Sequence, residues 1–238
     1  MEVLVFDTSE ELSKRAADDL IRFAGARKEP LICTASGDSP SGLYKEIVHR
    51  QTDVSLWRFV GLDEWAGMNG SDEGSCRYHL NNQFFLPLDI KEEHICFFDG
   101  RANDLEHECS VTENFIVKHG GMDAAIVGLG LNGHVGMNEP GTPASLRCHV
   151  AEIAPQTQAI GQKYFTTPRQ ITHGLTLGLS TLMEAKQIML IVSGAKKAAI
   201  VKEVLTGEIS EQIPASLLRN HEGLTVYLDR AAAQMLAP

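Results

Sequence analysis

The sequence predicts an α/β fold: a mainly parallel, Rossmann-like sheet with helices on both faces. Short apolar runs of strand length alternate with longer segments whose apolar residues recur every three to four positions. Turn residues, glycine above all, separate the two kinds of segment. With 238 residues, 43% of them hydrophobic and 22% charged, the chain can cover such a sheet without disulfide or metal staples. No internal repeat, low-complexity stretch or linker divides it, so residues 1–238 are expected to form one domain.

Residues 3–6 read as the first strand. Thr8-Ser9-Glu10-Glu11 has capping-box spacing and opens a helix with Leu12, Ala16, Leu20 and Ala24 on one face. Residues 31–35 form a buried strand and 36–39 a turn. Pro40 stands in the first turn of a helix carrying Leu43, Tyr44, Ile47 and Val48. Residues 57–62 read as a strand running straight into Asp63-Glu64. A polar, glycine-rich loop covers 66–74, and a helix around 75–85 stops before Pro87. In the second half, 94–98, 123–127, 187–192 and 225–228 read as strands. Residues 104–119, 196–205 and 230–236 read as helices, the first ended by Gly120-Gly121.

The net charge of −10 argues against nucleic acid or an anionic membrane as partner, since both need a basic footprint. A locally positive pocket for a small anion remains compatible with it. The five cysteines are scattered with no CxxC pair, and the first residues lack a basic stretch before an apolar one. No apolar run reaches membrane-spanning length. A cytoplasmic protein is the expectation.

In parallel α/β sheets, ligands sit beyond the carboxyl ends of the strands. Four polar clusters fall there. Ser36-Gly37-Asp38-Ser39, between a strand and a helix, offers backbone N–H groups and a helix dipole to a phosphate; an ordinary β-to-α turn capped by Ser39 explains it equally well. Asp38 complicates the first reading, because its carboxylate repels a phosphate unless it is paired. Of Asp63-Glu64, alternation along an extended chain turns one acid to the pocket and leaves the other structural; a solvated pair is the plainer alternative. In Gly128-Leu129-Gly130-Leu131-Asn132-Gly133-His134, glycines set the backbone before a histidine, and Glu139 is near enough in sequence to orient the imidazole. Gly194-Ala195-Lys196-Lys197 puts lysines at a strand-to-helix junction, where solvated side chains are the alternative. Cys76-Arg77-Tyr78-His79 reads as ordinary helix, with no second pair at zinc spacing.

These motifs stand in the order found in one family. Ser36-Gly37-Asp38-Ser39-Pro40, Leu62-Asp63-Glu64-Trp65, the run from Gly128 to Asn138-Glu139-Pro140, Leu175-Thr176-Leu177-Gly178 and Gly194-Ala195-Lys196-Lys197-Ala198 together resemble the glucosamine/galactosamine-6-phosphate isomerase (deaminase) family. The Leu62-Asp63-Glu64-Trp65 form is closer to the galactosamine-6-phosphate branch. The resemblance implies conversion of a 2-amino-2-deoxyhexose 6-phosphate to a ketohexose 6-phosphate and ammonia, with no metal or organic cofactor. It implies that His134, oriented by Glu139, moves a proton at the ring oxygen, and that Asp63 takes the C2 proton and returns one at C1. Ser36, Gly37, Asp38 and Ser39 with Lys197 are implied to hold the phosphate, and Glu64, Gly130, Gly133 and Thr176 to line the rest of the pocket.

Two departures stand out. Asn132 replaces the family's aspartate in the catalytic set, which throws the His134-partner role onto Glu139. Lys163 takes the position of a phosphate-binding arginine in a lid expected over 153–172. The implied partner is a small-molecule sugar phosphate, and the chain is expected to be a monomer or small homo-oligomer. A 6-phosphogluconolactonase of the same fold would carry Asp-Glu-Arg and Gly-His-Thr-Ala where this chain has Asp63-Glu64-Trp65 and Gly133-His134-Val135-Gly136. A non-catalytic sugar-phosphate sensor is the other alternative.

Overall fold

The computed structural model describes residues 1–236. Strand β1 (Glu2–Phe6) leads into helix α1 (Ser9–Gly25), which Thr8 caps by accepting the Glu11 N–H at 3.2 Å. Glu11 answers on the N–H of Asp7 rather than that of Thr8, so the expected capping box is displaced by one residue. Leu12, Ala16, Leu20 and Ala24 are all buried, as their spacing predicts. There follow β2 (Leu31–Thr34), α2 (Asp38–His49), β3 (Arg58–Gly61), β4 (Asp63–Trp65) and α3 (Cys76–Leu80), which continues as a π-helical turn over Asn81–Phe85. Next come β5 (Ile95–Cys96), α4 (Leu105–Lys118), β6 (Ala124–Val127), β7 (His149–Glu152), α5 (Pro155–Gly161) and β8 (His173–Thr176). The chain closes with α6 (Leu179–Met183), β9 (Gln187–Val192), α7 (Ala198–Thr206), β10 (Leu224–Asp229) and α8 (Arg230–Ala233).

Seven strands form one parallel sheet in the order β1-β10-β9-β6-β2-β3-β5. The inner strands β2 and β9 are covered on both faces, which is why they read as near-continuous apolar runs. Ile32, Met189 and Ile191 pack on one side with α1 and α2; Cys33, Ile188 and Leu190 pack on the other with α4, α6 and α7. From β2 the chain moves outward to β3 and β5. From β6 it moves the opposite way, through β9 and β10. The strand order therefore reverses between β2 and β6, and the crevice beyond their carboxyl ends is where a ligand fits this architecture.

The sequence reading missed a second sheet, antiparallel and three-stranded, in the order β4-β8-β7. The strand expected to run on into Asp63-Glu64 breaks at Leu62. That residue donates its N–H to Thr34 of the large sheet at 3.0 Å and accepts from Leu177 at 2.9 Å. The chain then leaves the parallel layer, with Asp63 opposite Thr176 in the small one. Two smaller differences are that the helix expected from 196 begins as a tighter 3-10 turn over Ala195–Lys197, and that the last helix is four residues long. No described helix is long and apolar enough to cross a membrane.

Candidate active site

One pocket opens at the reversal point, lined by residues that follow β2, β3 and β6 together with segments of α3, α5 and the 3-10 turn after α5. The end expected to take an anion is built on the turn after β2. Gly37 is the N-cap of α2, with φ of 117°, a left-handed conformation that favours glycine, and no side chain caps the helix. The first-turn amides therefore stay open, as an anion site needs. Ser39 lines the pocket rather than capping the helix. Lys197 reaches the same end from the far side of the crevice; its ammonium donates to the Leu129 carbonyl, and burial together with nearby Lys163 pulls its pKa below the usual lysine value. Lys163 comes from the 3-10 turn Gln162–Tyr164 and pairs with Asp38.

The two neighbouring acids separate as strand alternation requires. Asp63 is partly exposed to the pocket, and burial of its carboxyl pushes the pKa up to about 6, against the Cys76 thiol and His134, which both favour the anion. Glu64 does not line the pocket, contrary to expectation. It is fully buried and accepts from the N–H groups of Trp65 and Cys76 at 2.9 Å each and of Arg77 at 3.0 Å. Two of these donors belong to the first turn of α3, so Glu64 binds that helix to β4. Its pKa rises to about 7, burial outweighing the three donors.

His134 follows the glycine-rich loop after β6 and lines the pocket. A side chain on Gly130 would begin 2.3 Å from the imidazole, so the ring lies directly against bare backbone. His134 Nδ1 is 3.3 Å from the Thr157 hydroxyl and 3.5 Å from Glu139 Oε2. Burial raises the Glu139 pKa, but contacts with His134, Thr157 and Asn132 outweigh it and hold the carboxylate below its ordinary value. Asn132 was expected in the catalytic set; it lies outside the pocket, gives its amide N–H to Glu139 at 2.7 Å and accepts the His134 backbone N–H at 3.2 Å. Glu139 too stands behind the imidazole rather than in the pocket.

Two more expected pocket residues lie elsewhere. Gly133 is buried in the turn, where a side chain would begin 2.8 Å from Ile213. Thr176 is completely buried beneath the site, its hydroxyl accepting the Met137 N–H at 3.1 Å. Conversely, Trp65, Cys76, His79 and Tyr164 line the pocket although the sequence reading gave them no role. Cys76 and His79 stand three apart on α3, the helical spacing that turns both to one side, and this signal was available. The Cys76 thiol lies beside Asp63 and favours its anion, and Cys76 and Ser36 line the same pocket. Among the described residues, no group of three or more His, Cys, Asp or Glu side chains could hold a metal ion.

Comparison with known proteins gives a consistent picture. Residues 7–227 match the family described as glucosamine-6-phosphate isomerases/6-phosphogluconolactonase. A glucosamine-6-phosphate deaminase of Bacillus velezensis is 38% identical, over 98% of this chain and 99% of its own length. Glucosamine-6-phosphate deaminase 1 of Bacillus subtilis is 35% identical, with 99% of each chain covered. Among solved structures, a monomeric glucosamine-6-phosphate deaminase superposes with a TM-score of 0.94 at 35% identity, covering 99% of this chain and 100% of that one. The 6-phosphogluconolactonase of Trypanosoma brucei, at 20% identity and a TM-score of 0.78 over 99% and 98% of the two chains, shares the fold. The chain is a member of the glucosamine-6-phosphate isomerase/6-phosphogluconolactonase family.

Proposed function

We propose that this protein is an amino-sugar-6-phosphate deaminase, which converts a 2-amino-2-deoxyhexose 6-phosphate and water to a ketohexose 6-phosphate and ammonia. The observation that carries the reading is that Asp63, His134 and the turn 36–39 face one pocket from three distant parts of the chain. In this mechanism the 6-phosphate rests on the α2 amides and the ammonium groups of Lys197 and Lys163. That contact fixes the sugar's C1–C2 end against the floor. His134, held from behind by Glu139, shifts the proton between the anomeric hydroxyl and the ring oxygen, opening the ring to the aldehyde. Asp63 then takes the C2 proton, and the electron pair moves through C1 onto the carbonyl oxygen, giving an enolamine. Return of a proton to C1 leaves an imine at C2, which water hydrolyses to the ketone and ammonia. A carboxyl with a pKa of about 6 suits this task, being ionised near neutrality yet more basic than a solvated aspartate.

Glucosamine 6-phosphate is the substrate favoured by the named activity of the relatives. Trp65, which lines the pocket, keeps galactosamine 6-phosphate as the second reading, because the Leu62-Asp63-Glu64-Trp65 form is the feature that suggested it. We further propose that residues 1–238 make one such domain, acting in the cytoplasm without metal or organic cofactor as a monomer or small homo-oligomer. The test is ammonia release from the two amino-sugar phosphates, run beside hydrolysis of 6-phosphogluconolactone. Ammonia from either sugar supports the deaminase. Turnover of the lactone alone transfers the site to lactonase chemistry, and binding without turnover makes the protein a sensor.

A further inference from the structure

Asp38 is out of keeping with the site around it. It is the first residue of α2, its side chain is 78% exposed, and it stands within the turn whose amides form the anion end. A bare carboxylate there opposes a bound phosphate. Its partner is Lys163, whose ammonium lies 2.5 Å from Asp38 Oδ2. Lys163 belongs to the segment that covers the pocket, and neighbouring side chains seat that segment. The Tyr164 ring rests edge-on against His79 at 5.2 Å, and its hydroxyl lies 3.5 Å from where a side chain on Gly37 would begin. Phe165 packs on Trp65 at 6.4 Å. The Asp38–Lys163 pair is the ionic contact between this covering segment and the phosphate turn.

Charge counting gives the pair a consequence. Lys163 and Lys197 bring two positive charges to the anion end, and Asp38 cancels one. A phosphate dianion is balanced by both lysines only when Asp38 has turned away. An exposed ion pair is weak and one of its partners is already largely in water, so that rotation costs little. We propose that Asp38 is a resident counter-ion: it holds Lys163 over the empty anion site, gives it up to the substrate's phosphate, and so limits affinity at that end of the pocket. Asp38 acts through Lys163 and is in that sense a positioning residue. The proposal rests on the phosphate end assigned under the deaminase reading but not on the chemistry at the floor.

The test compares wild type with Asp38→Asn, which keeps the shape and removes the charge, and Asp38→Gly, which removes the side chain. Each is made with and without Lys163→Gln, and folding is checked by thermal melting. Inorganic phosphate is titrated by calorimetry, and KM and kcat are measured separately with glucosamine 6-phosphate. The expected result is that both Asp38 variants bind inorganic phosphate about fivefold more tightly, with KM falling in parallel. Lys163→Gln should weaken phosphate binding by about twofold in the wild-type background and by about tenfold beside Asp38→Asn, since only there is the ammonium free beforehand. Unchanged or weaker phosphate binding in the folded Asp38 variants overturns the proposal, as does an equal cost of Lys163→Gln in both backgrounds. Absence of ammonia release by wild type, with the phosphate titrations as expected, defeats the deaminase reading and leaves the counter-ion standing.

Discussion

At the floor of the pocket, Asp63 and His134 are each held by neighbours that are themselves buried; at its mouth, Asp38 and Lys163 meet largely in water. The floor has layers. Glu64, completely buried, ties three backbone N–H groups and with them the start of α3, which presents Cys76 to Asp63. Glu139, itself gripped by Asn132, stands behind His134. The mouth has one exposed ion pair and a few aromatic contacts. Burial shifts pKa values and fixes orientation, so the floor suits proton transfer. Exposure leaves charges screened and mobile, so the mouth suits capture and release of an anion.

The largest effect that sharpens this contrast is expected at Asp63. Asp63→Asn keeps the shape and removes the base, so kcat should fall by about a thousandfold or more while substrate affinity moves by no more than about threefold. Next is Glu139→Gln, which leaves the imidazole without its anionic support and should lower kcat by about ten- to a hundredfold with little change in KM. Glu64→Gln should show in stability before activity. The glutamine places either an N–H₂ or too few lone pairs before three backbone donors, at a cost of about 2 kcal/mol in denaturant unfolding.

Glu64 also carries a pH signature. Its carboxyl and that of Asp63 have higher pKa values folded than unfolded, from 4.5 to about 7 and from 3.8 to about 6. The stability they contribute is therefore fully present below the unfolded values and is lost as pH rises through the folded ones. Melting temperatures of wild type should decline through this window, and Glu64→Gln should lose the part of the decline between pH 4.5 and about pH 7. The smallest effect is at Cys76. Its thiol favours the Asp63 anion, so Cys76→Ala should move the acidic limb of the kcat/KM profile above the wild-type position near pH 6. A limb that stays in place means that the thiol does not act on Asp63.

The parallel sheet was legible because strands covered on both faces must be apolar throughout, as Leu31-Ile32-Cys33-Thr34 is. The small antiparallel sheet was not. Its strands His149–Glu152 and His173–Thr176 are short, start with histidine and carry no long apolar run; the second pairs with β4 across the long stretch from Asp63 to Thr176, and the first joins the sheet through the second. In the site, the features written in consecutive residues were readable: the glycine loop before His134, Glu139 behind it, and the turn 36–39. Alternation foretold that Asp63 and Glu64 would part company, but which acid turned inward depended on α3, whose place is fixed by bonds spanning 12 and 13 residues. The same non-local dependence hid Cys76 and His79, which the sequence presents as ordinary members of a helix, and Tyr164, which counts only once its segment lies over Gly37.

Proton bookkeeping in heavy water reaches the central claim, that an aspartate, an imidazole and an anion cradle act on one amino-hexose 6-phosphate. Wild type incubated with glucosamine 6-phosphate in D₂O should release ammonia and yield ketohexose 6-phosphate carrying solvent deuterium at C1, while Asp63→Asn, still able to bind the sugar phosphate, should do neither. Ammonia and C1 deuterium appearing at comparable rates with Asp63→Asn would contradict the account.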